Sequence, residues 1–163
     1  MNVRLATIED LSAIVDIYNQ AIRSHSATGD MKEYLVEERT DWFKKFDSYN
    51  YPLYVAELYE EVVGYATISP YRQGREAMKQ IAEISFFVDY SSHGKGIGTC
   101  LLTYVISDSK RINKNTLVAM LLDINTKSIN LLKKFKFVEW GYLPGIINLD
   151  GAKCGHMIYG LKL

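Results

Sequence analysis

The sequence has few cysteines, few prolines and no excess charge of either sign. It contains two cysteines and three prolines in 163 residues, and 19 basic side chains balance 19 acidic ones. Cys100 and Cys154 lie far apart and lack metal-ligand spacing, so we expect neither a disulfide framework nor a metal site. Balanced charge, without a basic run or a nucleic-acid-binding motif, gives little support to a nucleic-acid partner.

Long hydrophobic runs and targeting signals are also missing. No uninterrupted apolar stretch approaches the length of a membrane span, and no cationic segment precedes an apolar one at the start. We therefore predict a cytoplasmic protein without a membrane partner. No repeat, linker or low-complexity tract divides the chain, and 48% of its residues are hydrophobic, which is enough for a core. A single domain over residues 1–163 is expected.

The most informative stretch covers residues 81–106, IAEISFFVDYSSHGKGIGTCLLTYVI. Its apolar, β-rich beginning predicts a strand, and Ile97, Leu101 and Val105 then fall on one face of a helix. Between strand and helix lies the glycine-rich segment 94–98. Glycines allow a ligand to approach the backbone closely, and the free N–H groups at a helix N-terminus favour an anion. The stretch therefore predicts a phosphate-binding turn.

The spacing of the glycines leaves the ligand open. The order of residues is wrong for a Walker-type loop, in which Gly-Lys is followed by Ser or Thr. Gly94 and Gly96 fit the first two glycines of a dinucleotide-binding fingerprint, with Thr99 in the third place and Asp123 at roughly the distance of a ribose-binding acid. A strand-to-helix turn that binds nothing is the remaining interpretation.

The same segment resembles the acyl-CoA signature of the GNAT superfamily of N-acetyltransferases, Gln/Arg-x-x-Gly-x-Gly/Ala. His93 stands at its first position, and Gly96 and Gly98 are its glycines. The surrounding AEISFFVDYSSHGKGIGTCLL is similar to the phosphinothricin acetyltransferase-like branch. Further matches cover nearly the whole chain: IYN at 17–19, Arg39-x-x-Trp42, VAE at 55–57, VVGYA at 62–66 and INTKSINLLKKFKF at 124–137.

The resemblance implies a fold, a co-substrate and an assembly. The implied fold is α/β (α+β), with a mixed, mostly antiparallel central sheet flanked by helices. Acetyl-CoA is the implied co-substrate, without a metal, and a homodimer is reasonable. The loop at 25–29 lies near the acceptor pocket in the resembling family. The implied coenzyme contacts are Phe86, Phe87, Val88, His93, Gly94, Lys95, Gly96, Ile97, Gly98, Thr99, Asn125 and Ser128.

Acyl transfer to an amine needs a base, because an ammonium ion has no lone pair with which to attack. Glu83 matches the family's Glu and lies in an apolar, β-rich run, so we predict that it is the base, acting directly or through a water. An edge-strand carboxylate facing water is the alternative. Backbone N–H groups near Phe87 and Val88 would polarise the thioester carbonyl. Arg72 or Arg75 could hold an acceptor carboxylate, or could simply be exposed to solvent.

The leading interpretation is an acetyl-CoA-dependent N-acetyltransferase of a small amine. The resemblance narrows this amine to an amino acid or an analogue such as phosphinothricin, methionine sulfone or methionine sulfoximine. Three residues depart from the branch: His93 replaces Arg or Gln, Leu132 replaces His or Tyr, and Lys136 replaces a Gly. Leu132 leaves the proton donor to the leaving thiolate undefined. Leu132 and His93 are the features that favour a non-catalytic acyl-CoA-binding or sensor module as the alternative. The spacing of the glycines leaves a nucleotide-binding oxidoreductase as a third interpretation.

Overall fold

The computed structural model describes residues 1–163, which form seven strands, four α-helices and three short 3-10 turns. The strands are β1 (Asn2–Leu5), β2 (Leu53–Leu58), β3 (Glu61–Pro70), β4 (Ile81–Val88), β5 (Thr116–Leu122), β6 (Val138–Leu149) and β7 (Ala152–Lys162). The helices are α1 (Leu11–Arg23), α2 (Val36–Phe43), α3 (Ile97–Asp108) and α4 (Thr126–Lys134).

All seven strands belong to one sheet in the order β1-β2-β3-β4-β5-β7-β6. Every neighbouring pair is antiparallel except β4 and β5, which are parallel. This confirms the mixed, mostly antiparallel sheet, and β4 is its middle strand. The dinucleotide-binding interpretation is wrong, because that fold needs a doubly wound parallel sheet and this one has a single parallel pair.

Helices cover both faces of the sheet, because successive side chains on a strand point to opposite faces. On β3, Ala66 and Ile68 belong to the main core, where they meet α3 and α4 residues such as Leu101. Tyr65 points the other way and packs with Ile14 of α1. The apolar face predicted for α3 is thus its buried face, and α1 also buries its apolar side chains.

The parallel pair β4 and β5 separates after three residue pairs. The pairs are Ile81 with Thr116, Ala82 with Leu117 and Glu83 with Val118. Both strands continue beyond these pairs, to Val88 and Leu122, without pairing to each other. In the gap between them, backbone N–H and C=O groups in the middle of the sheet have no strand partner and are free to bind a ligand.

Strand β6 is the longest of the seven, since it continues through Pro144 to Leu149. Proline is tolerated there because β6 lies at the edge of the sheet, where one missing N–H costs no ladder bond. The chain reverses at Asp150 and Gly151, whose φ angles are 49° and 93°.

Candidate active site

A cavity of about 970 Å³, the main cavity, lies in the gap between β4 and β5. The second halves of the two strands form its walls, together with the loop before α3 and the first turns of α3 and α4. Lys95 is exposed and lies outside it. All the other predicted coenzyme contacts line it: Phe86, Phe87, Val88, His93, Gly94, Gly96, Ile97, Gly98, Thr99, Asn125 and Ser128.

The loop before α3 has the backbone of an anion site. Gly94 and Gly96 have φ angles of 79° and 82°, a region that L side chains rarely occupy, and Gly96 is the N-cap of α3. The N–H groups of Ile97, Gly98 and Thr99 find no backbone acceptor. These free donors at a helix N-terminus, which line a large cavity, fit the pyrophosphate of acetyl-CoA.

Gly98 is required for a different reason. A Cβ atom at this position would lie 2.8 Å from Leu131 Cδ2 and 4.0 Å from Val88 Cγ2. The first of these distances is a steric clash, so a side chain here would displace Leu131 of α4. Glycine at position 98 therefore allows α3 and α4 to approach each other across the main cavity.

Two side chains that the sequence analysis missed hold this loop against α1. Asp89 Oδ2 accepts from Gln20 Nε2 at 2.7 Å, and Gln20 Oε1 accepts from the N–H of Tyr90 at 2.8 Å. Hydrogen bonds from Ser91 and then Gln20 hold the pKa of Asp89 below its usual value. Gln20 and Asp89 are 69 residues apart, and no local pattern in the sequence joins them.

His93 lies at the mouth of the main cavity. Its Nε2 atom is 3.1 Å from the carbonyl oxygen of Val88, and its ring centroid is 4.6 Å from that of Tyr90. When Nε2 donates to Val88, Nδ1 is left free for a ligand or a second proton. These contacts fix the ring at the position where the acyl-CoA signature has Arg or Gln.

Replacing His93 by Arg is expected to tighten acetyl-CoA binding by up to about fivefold. Arginine brings a permanent charge and a planar set of donors to the position where the signature has Arg or Gln, and a charge at a helix terminus contributes up to about 1 kcal/mol. Calorimetry of both proteins in one buffer and salt measures the difference. Equal affinity in the two proteins would mean that the side chain at position 93 does not contact the pyrophosphate.

The start of α4 contributes a capped turn to the main cavity. Asn125 Oδ1 accepts from the N–H of Ser128 at 3.2 Å, which caps the helix. One face of the helix then carries Leu132 into the main core, where only 1% of this residue is exposed. Leu132 has no proton to donate, so α4 does not supply an acid at that position.

Glu83 lies at the point where β4 and β5 separate, because Glu83 and Val118 form the last pair of the ladder. Its side chain is on the same face of β4 as Ser85 and Phe87, about 6.6 Å before Ser85 along the strand. Glu83 is not among the residues that line the main cavity. Burial raises the pKa of its carboxyl above the usual 4.5.

A second cavity of about 300 Å³ lies on the α1 and α2 face of the sheet. It is lined by Tyr18, Ala27, Thr28, Gly29, Arg39, Trp42, Tyr65, Thr67, Ser85, Phe87, Met120, Leu121, Leu122, Ile147 and His156. Ser85, Phe87, Met120 and Leu121 also line the main cavity, so the two cavities meet at the gap between β4 and β5. The predicted 25–29 loop contributes three of its residues to the second cavity.

Arg72 and Arg75 lie in the exposed connection between β3 and β4. The guanidinium of Arg72 is 5.7 Å from the ring centroid of Tyr71. Neither arginine lines the main or the second cavity. The structure thus brings the predicted coenzyme contacts together, except Lys95, but leaves these two arginines outside, and their role in acceptor binding stays a prediction.

The structure gives little support for a metal site or a membrane-spanning helix. No group of three or more His, Cys, Asp or Glu side chains is arranged to hold a metal ion. None of the helices combines the length and the apolarity that a membrane span requires.

The sequence similarity to known proteins extends over the whole chain. The acetyltransferase (GNAT) family matches residues 13–137. YwnH of Bacillus subtilis is 35% identical, over 100% of this chain and 99% of YwnH. The L-methionine sulfoximine/L-methionine sulfone acetyltransferase of Salmonella typhimurium is 28% identical, over 97% and 90%. The phosphinothricin N-acetyltransferase of Streptomyces coelicolor is 31% identical, over 86% and 84%.

Solved structures agree with the sequence matches. The structure of YncA from Salmonella typhimurium with acetyl-CoA superposes with a TM-score of 0.93 at 28% identity, covering 100% of this chain and 94% of YncA. The residues that the family matches include the loop before α3 and both strands that border the main cavity. The chain therefore belongs to the acetyltransferase (GNAT) family, as an acetyl-CoA-dependent N-acetyltransferase similar to the phosphinothricin acetyltransferases.

Proposed function

We propose that this enzyme acetylates the amine of an amino acid or a close analogue, with Glu83 as general base. The observation that carries the proposal is the meeting of two cavities at the β4–β5 gap, one large and one small. The main cavity has the volume for a coenzyme, and the second is at the lower end of the range for small-molecule sites. A thioester and an amine held on the two sides of the gap come within reach of each other.

The main cavity supports acetyl-CoA through backbone groups. The free N–H groups at the start of α3 are available to an anion, and Gly94 and Gly96 keep the approach open. The bound coenzyme supplies an acetyl thioester, which transfers its acyl group to a neutral amine. The residues of the chain then have two tasks, to remove a proton from the amine and to stabilise negative charge on the carbonyl oxygen.

Glu83 is suited to the first task. Its carboxyl is desolvated, which raises its pKa and makes the carboxylate a stronger base than an exposed one. It shares a strand face with Ser85 and Phe87, which line the second cavity. A water between Glu83 and the amine would complete the proton path.

The backbone of β4 is suited to the second task. The N–H of Asp89 donates to Val63 of β3. Because hydrogen-bonding groups alternate along a strand, the N–H of Phe87 also faces β3, and those of Phe86 and Val88 face the gap. The N–H of Val88, near the loop before α3, is therefore our choice for the donor to the thioester oxygen. Phe87 contributes its ring to both cavities instead.

The acceptor, the oligomeric state and the cellular location are inferred from different observations. Relatives named for phosphinothricin and for methionine sulfoximine and sulfone suggest an amino-acid-like acceptor. A homodimer follows from the resemblance, and β6 offers an edge strand with exposed Val138, Trp140 and Ile146. The cytoplasmic location and the single domain over 1–163 rest on the sequence.

A panel of amines with detection of free thiol tests the proposed function. We expect thiol release from acetyl-CoA with phosphinothricin, methionine sulfone or methionine sulfoximine, and mass spectrometry should find an acetyl group on the acceptor nitrogen. A folded protein that binds acetyl-CoA but acetylates nothing in a broad panel would favour the acyl-CoA-binding module. The acyl-CoA-binding module is the second candidate function because Leu132, a buried apolar residue, has no proton to donate to the leaving thiolate.

A further inference from the structure

The guanidinium of Arg39 lies in a cluster of aromatic rings on the wall of the second cavity. Its central carbon is 3.9 Å from the ring centroid of Trp42, 4.8 Å from that of Tyr34 and 5.2 Å from that of Tyr18. Arg39, Trp42 and Tyr18 all line the cavity. Stacking of this kind holds a guanidinium in one plane and one place while its N–H edges stay free.

Arg39 has no counter-ion in the protein. The arginines at positions 4, 23 and 111 each form an ion pair with a carboxylate, and no ion pair or side-chain hydrogen bond involves Arg39. Asp30 is the acid that belongs to the same cluster, and its Oδ2 atom accepts from the hydroxyls of Tyr18 at 2.7 Å and Tyr34 at 3.2 Å. The Oδ2 atom of Asp30 is therefore taken by two hydroxyls, no ion pair joins Asp30 to Arg39, and the donors of Arg39 remain available to a ligand.

Burial distinguishes Arg39 from the other arginines without a carboxylate partner. Arg72 and Arg75 are exposed in a connecting loop, where water satisfies a guanidinium at no cost. Arg39 is half-buried against aromatic side chains and faces a cavity. A planar set of donors in such a place matches a carboxylate, which accepts two parallel N–H bonds.

We propose that Arg39 binds the carboxylate of the acceptor in the second cavity, so that the enzyme selects amino acids over amines that lack a carboxylate. This inference rests on the proposed function and adds to it the residue that recognises the acceptor. The aromatic walls of Tyr18, Trp42, Tyr65 and Phe87 then surround the acceptor side chain. Its amine faces Ser85 and Leu121, where the main cavity begins.

The test compares two acceptors in three proteins. The acceptors are L-methionine sulfone and the amine that remains when its carboxylate is removed. The proteins are the wild type, Arg39→Gln and the control Arg23→Gln, whose arginine is exposed and pairs with Glu33. The quantity measured is the ratio of kcat/KM for methionine sulfone to kcat/KM for the carboxylate-free amine.

We expect Arg39→Gln to lower this ratio by at least about tenfold, chiefly through the KM for methionine sulfone, since a charged hydrogen bond contributes about 1.5–3 kcal/mol. Arg39→Lys keeps the charge without the fork of donors and should fall between wild type and Arg39→Gln. If Arg39→Gln does not fold, the comparison of Arg39→Lys with the wild type tests the inference in its place. Arg23→Gln should keep the wild-type ratio.

An unchanged ratio in Arg39→Gln, with both acceptors affected equally, would reduce Arg39 to a packing residue and overturn the inference while the proposed function stands. A wild type that acetylates neither acceptor would instead refute the proposed function. Calorimetric titration of methionine sulfone into wild type and Arg39→Gln, with CoA present, decides in that case. Binding that is lost with Arg39 supports the inference, and absent or equal binding overturns it.

Discussion

Replacing Glu83 by Gln is expected to lower kcat by on the order of a hundredfold or more, the usual scale for the loss of a general base. Glutamine keeps the size and polarity of the side chain but takes no proton. Acetyl-CoA affinity should hardly change, because Glu83 does not line the main cavity. Steady-state kinetics with a saturating acceptor, beside calorimetry with acetyl-CoA, measures both quantities.

The pH dependence of the activity provides a second test of the role of Glu83. Glu83 acts as a base only when it is ionised, and burial raises its pKa above 4.5. Wild-type activity should therefore rise as the pH increases through this raised pKa, and Glu83→Gln should lack that rise. At high pH a larger fraction of the acceptor amine is already neutral, so the deficit of the variant should shrink. Recovery of this kind is not expected from a variant that is merely unstable.

Glu61→Gln is the matched control for Glu83→Gln. Glu61 lies on the neighbouring strand β3, is exposed and lines neither cavity. The same chemical change there should leave kcat and its pH profile unaltered. A Glu83→Gln enzyme with near-normal turnover at all pH values would falsify the base assignment and leave Glu83 as a carboxylate at the end of a strand ladder.

The sequence predicts those parts of the site that are built from neighbouring residues. Strand β4, the glycine loop and α3 follow one another directly, so their order alone brings Phe86, His93 and Gly96 to one end of the sheet. The positive φ angles of Gly94 and Gly96 are the physical reason for glycine at both places. Periodicity predicts β4 and α3, and the resemblance to the acyl-CoA signature implies the coenzyme contacts in and around the loop between them.

The parts that the sequence did not predict depend on contacts between distant residues. The separation of β4 from β5 after Glu83 is a property of the sheet, and no residue type marks it. The second cavity gathers Arg39 from α2, Phe87 from β4 and His156 from β7. Arg39 was visible in the sequence only as part of the Arg-x-x-Trp match, and its free donors became evident only when its neighbours were known.

Replacing Gly96 by Val is expected to raise the dissociation constant of acetyl-CoA by on the order of a hundredfold. Gly96 has a φ of 82° and is the N-cap of α3, and a β-branched residue is strongly disfavoured in that region. Relief of the strain turns the peptide groups at the start of α3 away from the anion, and a new side chain lies in the path of the ligand. Loss of one or two charged hydrogen bonds, at about 1.5–3 kcal/mol each, accounts for the effect.

Gly74→Val separates the loss of a binding site from the cost of backbone strain. Gly74 has a φ of 74°, and like Gly96 it has no atom within 4 Å of the place a Cβ would take, but it lies outside the main cavity. Both variants should therefore lose a similar amount of thermal stability, since both force a valine into the left-handed region. Calorimetry on the folded proteins should find weakened acetyl-CoA binding in Gly96→Val alone. Unchanged affinity in Gly96→Val would mean that residues 94–98 form only a turn, and equal weakening in both variants would assign the effect to strain and not to the loop.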